Sequence, residues 1–210
     1  MNAARAKIPL AVGTAATVGL LAGAAYFFKI PPFSEEVGDI SQSMVCESLG
    51  ADSSSVEALE TILPDASSYS FDDEVASRVS DEDDNYSSAC FVSGDDKELM
   101  AARTQMLRSE SPETWTEHEV RQNAKKSAAL TSFEAGTKGV VSSSMAAVLV
   151  PCISAGKIPG GQYDLSVVVQ MSEMAQSNDA KTRSALIGLA KSAAAYAHAE
   201  AKCDLPSKVD

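Results

Sequence analysis

The nine residues YDLSVVVQM, Tyr163–Met171, alternate between apolar and polar side chains. This period of two is the period of a β-strand with one buried face. Five apolar side chains fall on one side of such a strand: Tyr163, Leu165, Val167, Val169 and Met171. The polar side chains Asp164, Ser166 and Gln170 fall on the opposite side. The stretch therefore predicts a strand that needs a second layer against its apolar face.

A long helix is predicted directly after this strand, from a cap at Asn178 or Asp179 through Lys202. Its predicted buried stripe recurs at helical spacing and consists of Leu186, Leu189, Ala190, Ala193, Tyr196 and Ala197. Alanine on that stripe implies a close approach to the neighbouring layer. A helix that covers a one-sided strand predicts an α+β domain with mainly antiparallel pairing.

Earlier segments of the chain fit the same fold class. A helix is predicted at Ser53–Leu63, followed by a short strand at Ser68–Phe71. The acidic stretch Asp72–Asn85 is predicted to be a solvated loop and Tyr86–Val92 a strand. The pattern of Glu98–Leu107 fits a helix or a strand. Ser111 and Pro112 predict the cap and first position of a helix that contains Trp115 and Val120 and extends to Lys126.

The N-terminal segment predicts a membrane anchor. No charged residue lies between Ile8 and Phe28, and a helix of that length spans a hydrocarbon core of about 30 Å. Arg5 and Lys7 precede the segment, whereas only Lys29 follows it before the first acidic residues, so the N-terminus is expected in the cytoplasm. The alternative is a signal peptide cleaved near Ala22-x-Ala24, which would release the rest as a secreted protein.

The anchor divides the chain into four predicted parts. These are a cytoplasmic tail (1–7), a transmembrane helix that contacts the lipid bilayer (8–28), a tether (29–44) and an extracytoplasmic domain (45–210). An alternative is that the last part divides into two subdomains, 45–135 and 145–205, because each begins and ends near a cysteine.

The charge of the chain argues against nucleic acid as a partner. The sequence has 17 basic and 29 acidic residues, for a net charge of −12. Three of the basic residues, Arg5, Lys7 and Lys29, precede Ile30 and no acidic residue does, so the predicted outer domain is more negative than the whole chain. Because phosphate binding requires a basic patch, we expect no binding of nucleic acid.

The four cysteines, Cys46, Cys90, Cys152 and Cys203, predict two disulfide bonds. No pair has the C-x-x-C spacing of a zinc or redox site, and an even number in an exported domain indicates bridges. Three connectivities are open. We favour Cys46 with Cys90 and Cys152 with Cys203, because each pair then brackets one compact segment.

The predicted transmembrane helix carries a pattern typical of helix pairing. Ala11, Ala15, Gly19 and Gly23 recur every four residues, and Gly19 with Gly23 has the G-x-x-x-G spacing that allows two helix backbones to pack closely. The sequence therefore predicts a homodimer through this helix.

No catalytic, cofactor-binding or metal-binding residue is predicted. Ser154 and Lys157 match S-x-x-K, but Pro159-Gly160-Gly161 prevents the helix that this motif requires. Asp81–Asn85 resembles the start of a calcium loop, but it lacks the glycine and the closing glutamate of an EF-hand. His118 and His198, the only histidines, are expected on polar helix faces, and His118 lacks the partner of an H-E-x-x-H site.

Several short stretches carry a resemblance in layout to a known group of proteins. The basic tail before one span, together with VCESLG, SACFVSG and AYAHAEAKCDLP, resembles small single-pass envelope proteins of actinobacteria. The resemblance implies a location at the cell envelope and assigns no site residue. We expect a non-enzymatic anchored protein that binds an envelope partner or a small ligand; the alternative is an anchored hydrolase with a site not recognised here.

Overall fold

The computed structural model describes residues 37–122, 129–172 and 179–209. Its core is one seven-stranded antiparallel sheet in the order β1-β2-β3-β7-β6-β5-β4. The strands are β1 (Tyr69–Ala76), β2 (Ser87–Gly94), β3 (Lys97–Arg108), β4 (Thr131–Phe133), β5 (Lys138–Val141), β6 (Met145–Ile158) and β7 (Gly161–Met171). The helices are α1 (Ser53–Ile62), α2 (Pro112–Trp115), which continues as a π-helical turn at Thr116–Val120, and α3 (Asp179–Glu200). The predicted antiparallel α+β class is confirmed.

The inner face of the sheet is covered by α1 and α3. Leu165, Val167 and Val169 of β7 are fully buried there, as the alternation predicts. Leu186 and Leu189 of α3 are equally buried, and the alanines of the predicted stripe lie against β6 and β7. Tyr196, the last aromatic residue of that stripe, is half-buried. Because alanine has only a methyl group, α3 can lie close to the sheet along its length.

Two of the helices begin with a side-chain cap. Asp52 caps α1 and accepts a hydrogen bond from the backbone N–H of Ser55 at 2.8 Å. Ser111 caps α2 in the same way through Thr114, and Pro112 occupies the first helical turn as predicted. The predicted helix after Ser111 is described only as far as the π-helical turn, since residues 123–128 lie outside the described part.

The prediction of a loop over the whole of Asp72–Asn85 is wrong at its start. Asp72–Ala76 belongs to β1, in which all eight residues pair with β2 from Tyr69 opposite Gly94 to Ala76 opposite Ser87. β1 is an edge strand, so its acidic side chains remain in water while its backbone pairs on one side. The ambiguous segment Glu98–Leu107 is part of β3.

Strands from both halves of the chain belong to the same sheet. β3 pairs with β7 from Met100 opposite Met171 to Arg108 opposite Tyr163. The segments 45–135 and 145–205, considered as subdomains, therefore contribute neighbouring strands, and Gly38–Asp210 forms one compact unit.

Two disulfide bonds join the pairs that the sequence favours. Cys46–Cys90 links the segment before α1 to β2, and Cys152–Cys203 links β6 to the chain just after α3. The corresponding Cα–Cα distances are 5.9 Å and 4.4 Å. The predicted pairing is thus confirmed. Within the described residues, no helix is long and apolar enough to cross a membrane, and the predicted span at 8–28 lies outside them.

Candidate functional site

The outer face of the sheet, opposite α1 and α3, is only partly covered. Trp115 of α2 and Val120 of the π-helical turn pack on the outer face of β5 and β6, and all six residues of this small cluster are buried. The indole Nε1–H of Trp115 donates a hydrogen bond to Ser166 Oγ at 2.9 Å, both groups being buried. This bond fixes α2 over β7, and among residues 37–122, 129–172 and 179–209 no helix covers the outer face of β1, β2 and β3.

A cleft of about 490 Å³ lies on this uncovered part of the outer face. Its floor carries the small side chains of Ala76, Ser87 and Ala89, and its wall on the α2 side includes Gln105 and Glu119. Small residues on two neighbouring strands beside longer ones on the third produce the concavity. The volume is within the range of about 300–1,000 Å³ typical of small-molecule sites.

Strand register arranges the cleft residues in two rows across the sheet. The first row is Glu74, Ala89, Arg103 and Val168, each directly opposite the next on β1, β2, β3 and β7. The second row, two residues along, is Ala76, Ser87, Gln105 and Ser166. Because strands lie about 4.8 Å apart, the Cα atoms of Glu74 and Arg103 are separated by about 10 Å, with only the Ala89 methyl group between them.

The charged side chains of the cleft have different surroundings. The guanidinium of Arg103 lies over the ring of Phe91, 5.1 Å from its centroid. Glu119 accepts a hydrogen bond from Gln105 Nε2 at 3.0 Å. Within the described part of the chain, the side chains of Arg103 and Glu74 have no hydrogen bond or ion pair. Of the two carboxylates that line the cleft, Glu119 is thus bonded to Gln105, and Glu74 is the one offered together with the Arg103 cation for recognition.

The S-x-x-K residues lie on a strand. Ser154 and Lys157 belong to β6, and Ser154 Oγ donates a 2.6 Å hydrogen bond to Asp204, whose carboxylate also accepts from the Ser154 backbone N–H at 2.9 Å. These two bonds, the side-chain one first, lower the pKa of Asp204. The pair ties the chain after α3 to β6, and Lys157 is exposed.

The acidic residues Asp81–Asn85 form an internally bonded loop. The carboxylate of Asp83 accepts from the Val79 backbone N–H at 2.8 Å and from Asn85 Nδ2 at 2.6 Å, and the Val79 bond contributes most to lowering the Asp83 pKa. Arg78 donates to the carbonyls of Asp81 and Asp83. In the parts of the chain that the structure describes, no three acidic, histidine or cysteine side chains are placed to hold a metal ion.

The two histidines lie in different environments, and neither lines the cleft. His118 is exposed on the π-helical turn, as expected for a polar helix face. His198 is half-buried on α3, and its Nε2 lies 2.7 Å from the carbonyl oxygen of Leu205. All four cysteines are in disulfide bonds, so none is available as a nucleophile.

The predicted transmembrane packing residues Ala11, Ala15, Gly19 and Gly23 lie outside the described residues, so the homodimer remains a prediction. Sequence reasoning did not identify the cleft residues. The small outward-facing Ser87 and Ala89 of β2 were a usable signal, but their relation to Arg103 depends on strand register.

No protein-family model, curated protein or solved structure matches this chain.

Proposed function

We propose that this chain is an anchored extracytoplasmic protein that binds a small polar ligand in the outer-face cleft without catalysing a reaction. The single observation that carries the proposal is the cleft itself, in which Arg103 and Glu74 lie on either side of a floor of small residues. Such a combination of a concave surface with a few placed polar groups is typical of ligand sites.

The location outside the cytoplasm is supported by the two disulfide bonds and by the apolar segment at 8–28. Disulfides persist in oxidising compartments and are rare in the cytosol. Both bridges tie a peripheral segment to the central sheet, so the floor of the cleft belongs to a cross-linked scaffold. A rigid floor suits recognition, because little conformational freedom is then lost on binding.

A binding role is favoured over catalysis by the side chains that line the cleft. The hydroxyl of Ser166 is already the acceptor of the Trp115 indole, and Glu119 is bonded to Gln105. The lining described by the structure contains no histidine or cysteine to act as a base or nucleophile. Its guanidinium, carboxylate and amide groups are suited to holding a polar molecule.

A substitution that fills the floor tests this proposal. We expect methyl NMR signals of Ala76 and Val168 in the full chain, held in detergent micelles, to shift with members of a panel of small polar compounds. Ala89→Phe should abolish these shifts, whereas the control Ala155→Phe, at an exposed site on β6, should keep them. Shifts that persist in Ala89→Phe, or no shift with any compound, would overturn the cleft as a binding site; conversion of a bound compound would overturn the non-catalytic role.

A further inference from the structure

We infer that the ligand is a short, extended, peptide-like zwitterion whose carboxylate binds Arg103 and whose ammonium group binds Glu74. The inference rests on the proposed function, because it names the ligand class for the same cleft. In this arrangement the ligand crosses β2 above Ala89, along the first row of residues.

Arg103 is the anchor for the carboxylate because its guanidinium has no hydrogen bond or ion pair within the described residues. Arg78 donates to three backbone carbonyls, Arg108 donates to the carbonyl of Gly160, and Arg121 is paired with Glu117 at 3.0 Å. Arg103 instead lies over Phe91, with its guanidinium carbon 5.1 Å from the ring centroid, and it lines the cleft. A planar guanidinium with free donors binds a carboxylate through two parallel hydrogen bonds.

Glu74 is the matching acceptor for an ammonium group. It lies in register with Arg103 on the other side of β2, on the same face of the sheet. An extended chain covers at most about 3.3–3.6 Å per residue, so a tripeptide spans about 10 Å between its ends. This length equals the two strand spacings that separate the Cα atoms of Glu74 and Arg103.

The small side chain between the two charges gives the ligand backbone room to lie flat. Ala89 is the residue opposite both Glu74 and Arg103, and a larger side chain there would occupy the path between them. In the next row, Ser87 and Gln105 offer a hydroxyl and an amide to the peptide groups of a bound chain. These neutral groups can both donate and accept hydrogen bonds, as a peptide backbone requires.

The charge of the protein favours a zwitterion over a ligand with a single sign of charge. The chain carries a net charge of −12, so an anionic ligand is repelled overall and would gain only at Arg103. A cationic ligand would meet the Arg103 guanidinium at one end of the cleft. A molecule with both charges, spaced as Glu74 and Arg103 are, avoids both penalties.

Trialanine and its two blocked forms provide the probes. We expect trialanine to shift the Ala76 and Val168 methyl signals of the full chain in micelles. Trialanine amide, which lacks the carboxylate, and N-acetyl-trialanine, which lacks the ammonium group, should each bind at least about tenfold more weakly, since each loses one charge-assisted hydrogen-bonded contact.

Two variants assign the contacts. Arg103→Met should weaken the binding of trialanine to the level of trialanine amide and should leave the binding of the amide unchanged. Glu74→Gln should weaken the binding of trialanine to the level of N-acetyl-trialanine and should leave the binding of the N-acetyl form unchanged. Such coupling identifies direct contacts, which a general loss of stability would not produce. The control variants Arg121→Met and Glu60→Gln change exposed charges outside the cleft and should bind trialanine like the parent protein.

Three outcomes would overturn the inference, and the first two of them leave the proposed function in place. If neutral polyols shift the cleft signals and Ala89→Phe prevents this while trialanine has no effect, the cleft is a binding site for another ligand class. If trialanine binds equally well with either end blocked, or equally well to Arg103→Met, the assigned contacts are wrong. If no compound of any class shifts the cleft signals, both proposals fail.

Discussion

Replacing Cys152 and Cys203 together by alanine should lower the free energy of unfolding by about 4 kcal/mol. The bridge joins residues 51 positions apart, and closing a loop of that length restricts the unfolded chain by about this amount. The structure gives the same region further contacts, because the backbone N–H groups of Asp204 and Leu205 donate to the Cys152 carbonyl at 2.9 Å and 3.0 Å. These hydrogen bonds should hold the tail in place in the variant, so that the measured loss reports mainly on the cross-link.

The matched control is the double alanine variant of Cys46 and Cys90. Its bridge joins residues 44 positions apart, so its loss should be nearly equal, about 4 kcal/mol. The two loops do not overlap in sequence, and the losses should therefore add when all four cysteines are replaced. A combined loss of about 8 kcal/mol would consume most of a typical stability of about 5–15 kcal/mol.

Urea unfolding followed by tryptophan fluorescence measures these losses. Trp115 is the single tryptophan and is fully buried against the outer face of the sheet, so its emission reports unfolding of the sheet itself. If the free energy of unfolding of either double variant lies within about 1 kcal/mol of that of the parent protein, these bridges do not stabilise the fold by restricting the unfolded chain. If the two losses are far from additive, the bridges act through contacts in the folded state.

Three further predictions concern single side chains, each measured by urea unfolding followed by circular dichroism, because the Trp115 variant lacks the only tryptophan of the chain. Trp115→Phe removes the buried N–H that donates to Ser166 Oγ and should lower the free energy of unfolding by about 2–4 kcal/mol. An unchanged free energy of unfolding would contradict a stabilising hydrogen bond. Asp52→Ala removes the α1 cap and should lower the free energy of unfolding by about 1 kcal/mol, whereas Asp52→Asn should lower it much less. Equal losses would show that the hydrogen bond from the Ser55 backbone N–H to residue 52 does not stabilise the fold. Burial raises the pKa of Tyr86 from 10.0 to about 12, so the neutral phenol stabilises the fold fully below pH 10 and this stability is lost as the pH rises toward 12. The stability of the parent protein should therefore fall relative to Tyr86→Phe over that range, and parallel curves would contradict the assignment.

The elements that sequence reasoning predicted correctly are those whose apolar residues recur at a regular spacing because one face packs on the neighbouring layer. β7 alternates, apart from Val168, because one of its faces lies in the core under α3, and α3 has a clear stripe because that stripe lies on the sheet. The disulfide pairing was also predictable, since each bridge closes one continuous segment rather than joining the two halves.

β1 was missed because its sequence carries no strand signal beyond its first three residues. Asp72, Asp73 and Glu74 would be unusual in a central strand, but at the edge of the sheet only one side of the backbone must pair and the side chains reach water. The pairing of β1 comes from β2, which no local pattern in β1 reveals. β3 was ambiguous for a related reason, because Arg103 and Gln105 interrupt its apolar residues on the uncovered outer face.

The cleft could not be predicted because it depends on distances between strands. Glu74, Ala89 and Arg103 are far apart in sequence and meet only through the registers of β1 with β2 and of β2 with β3. A shift of one residue in either register would send one of these side chains to the inner face. The coverage of the outer face is equally non-local, since it depends on where Trp115 meets Ser166.

The proposed position of the domain outside the cytoplasm is tested most directly by a non-reducing peptide map of the full chain, alkylated in intact cells and then isolated from native membranes. The expected result is one cross-linked peptide containing Cys46 and Cys90, a second containing Cys152 and Cys203, and no alkylated cysteine. Alkylation of all four thiols would contradict both an oxidising location and the bonded fold, and with them the extracytoplasmic ligand site.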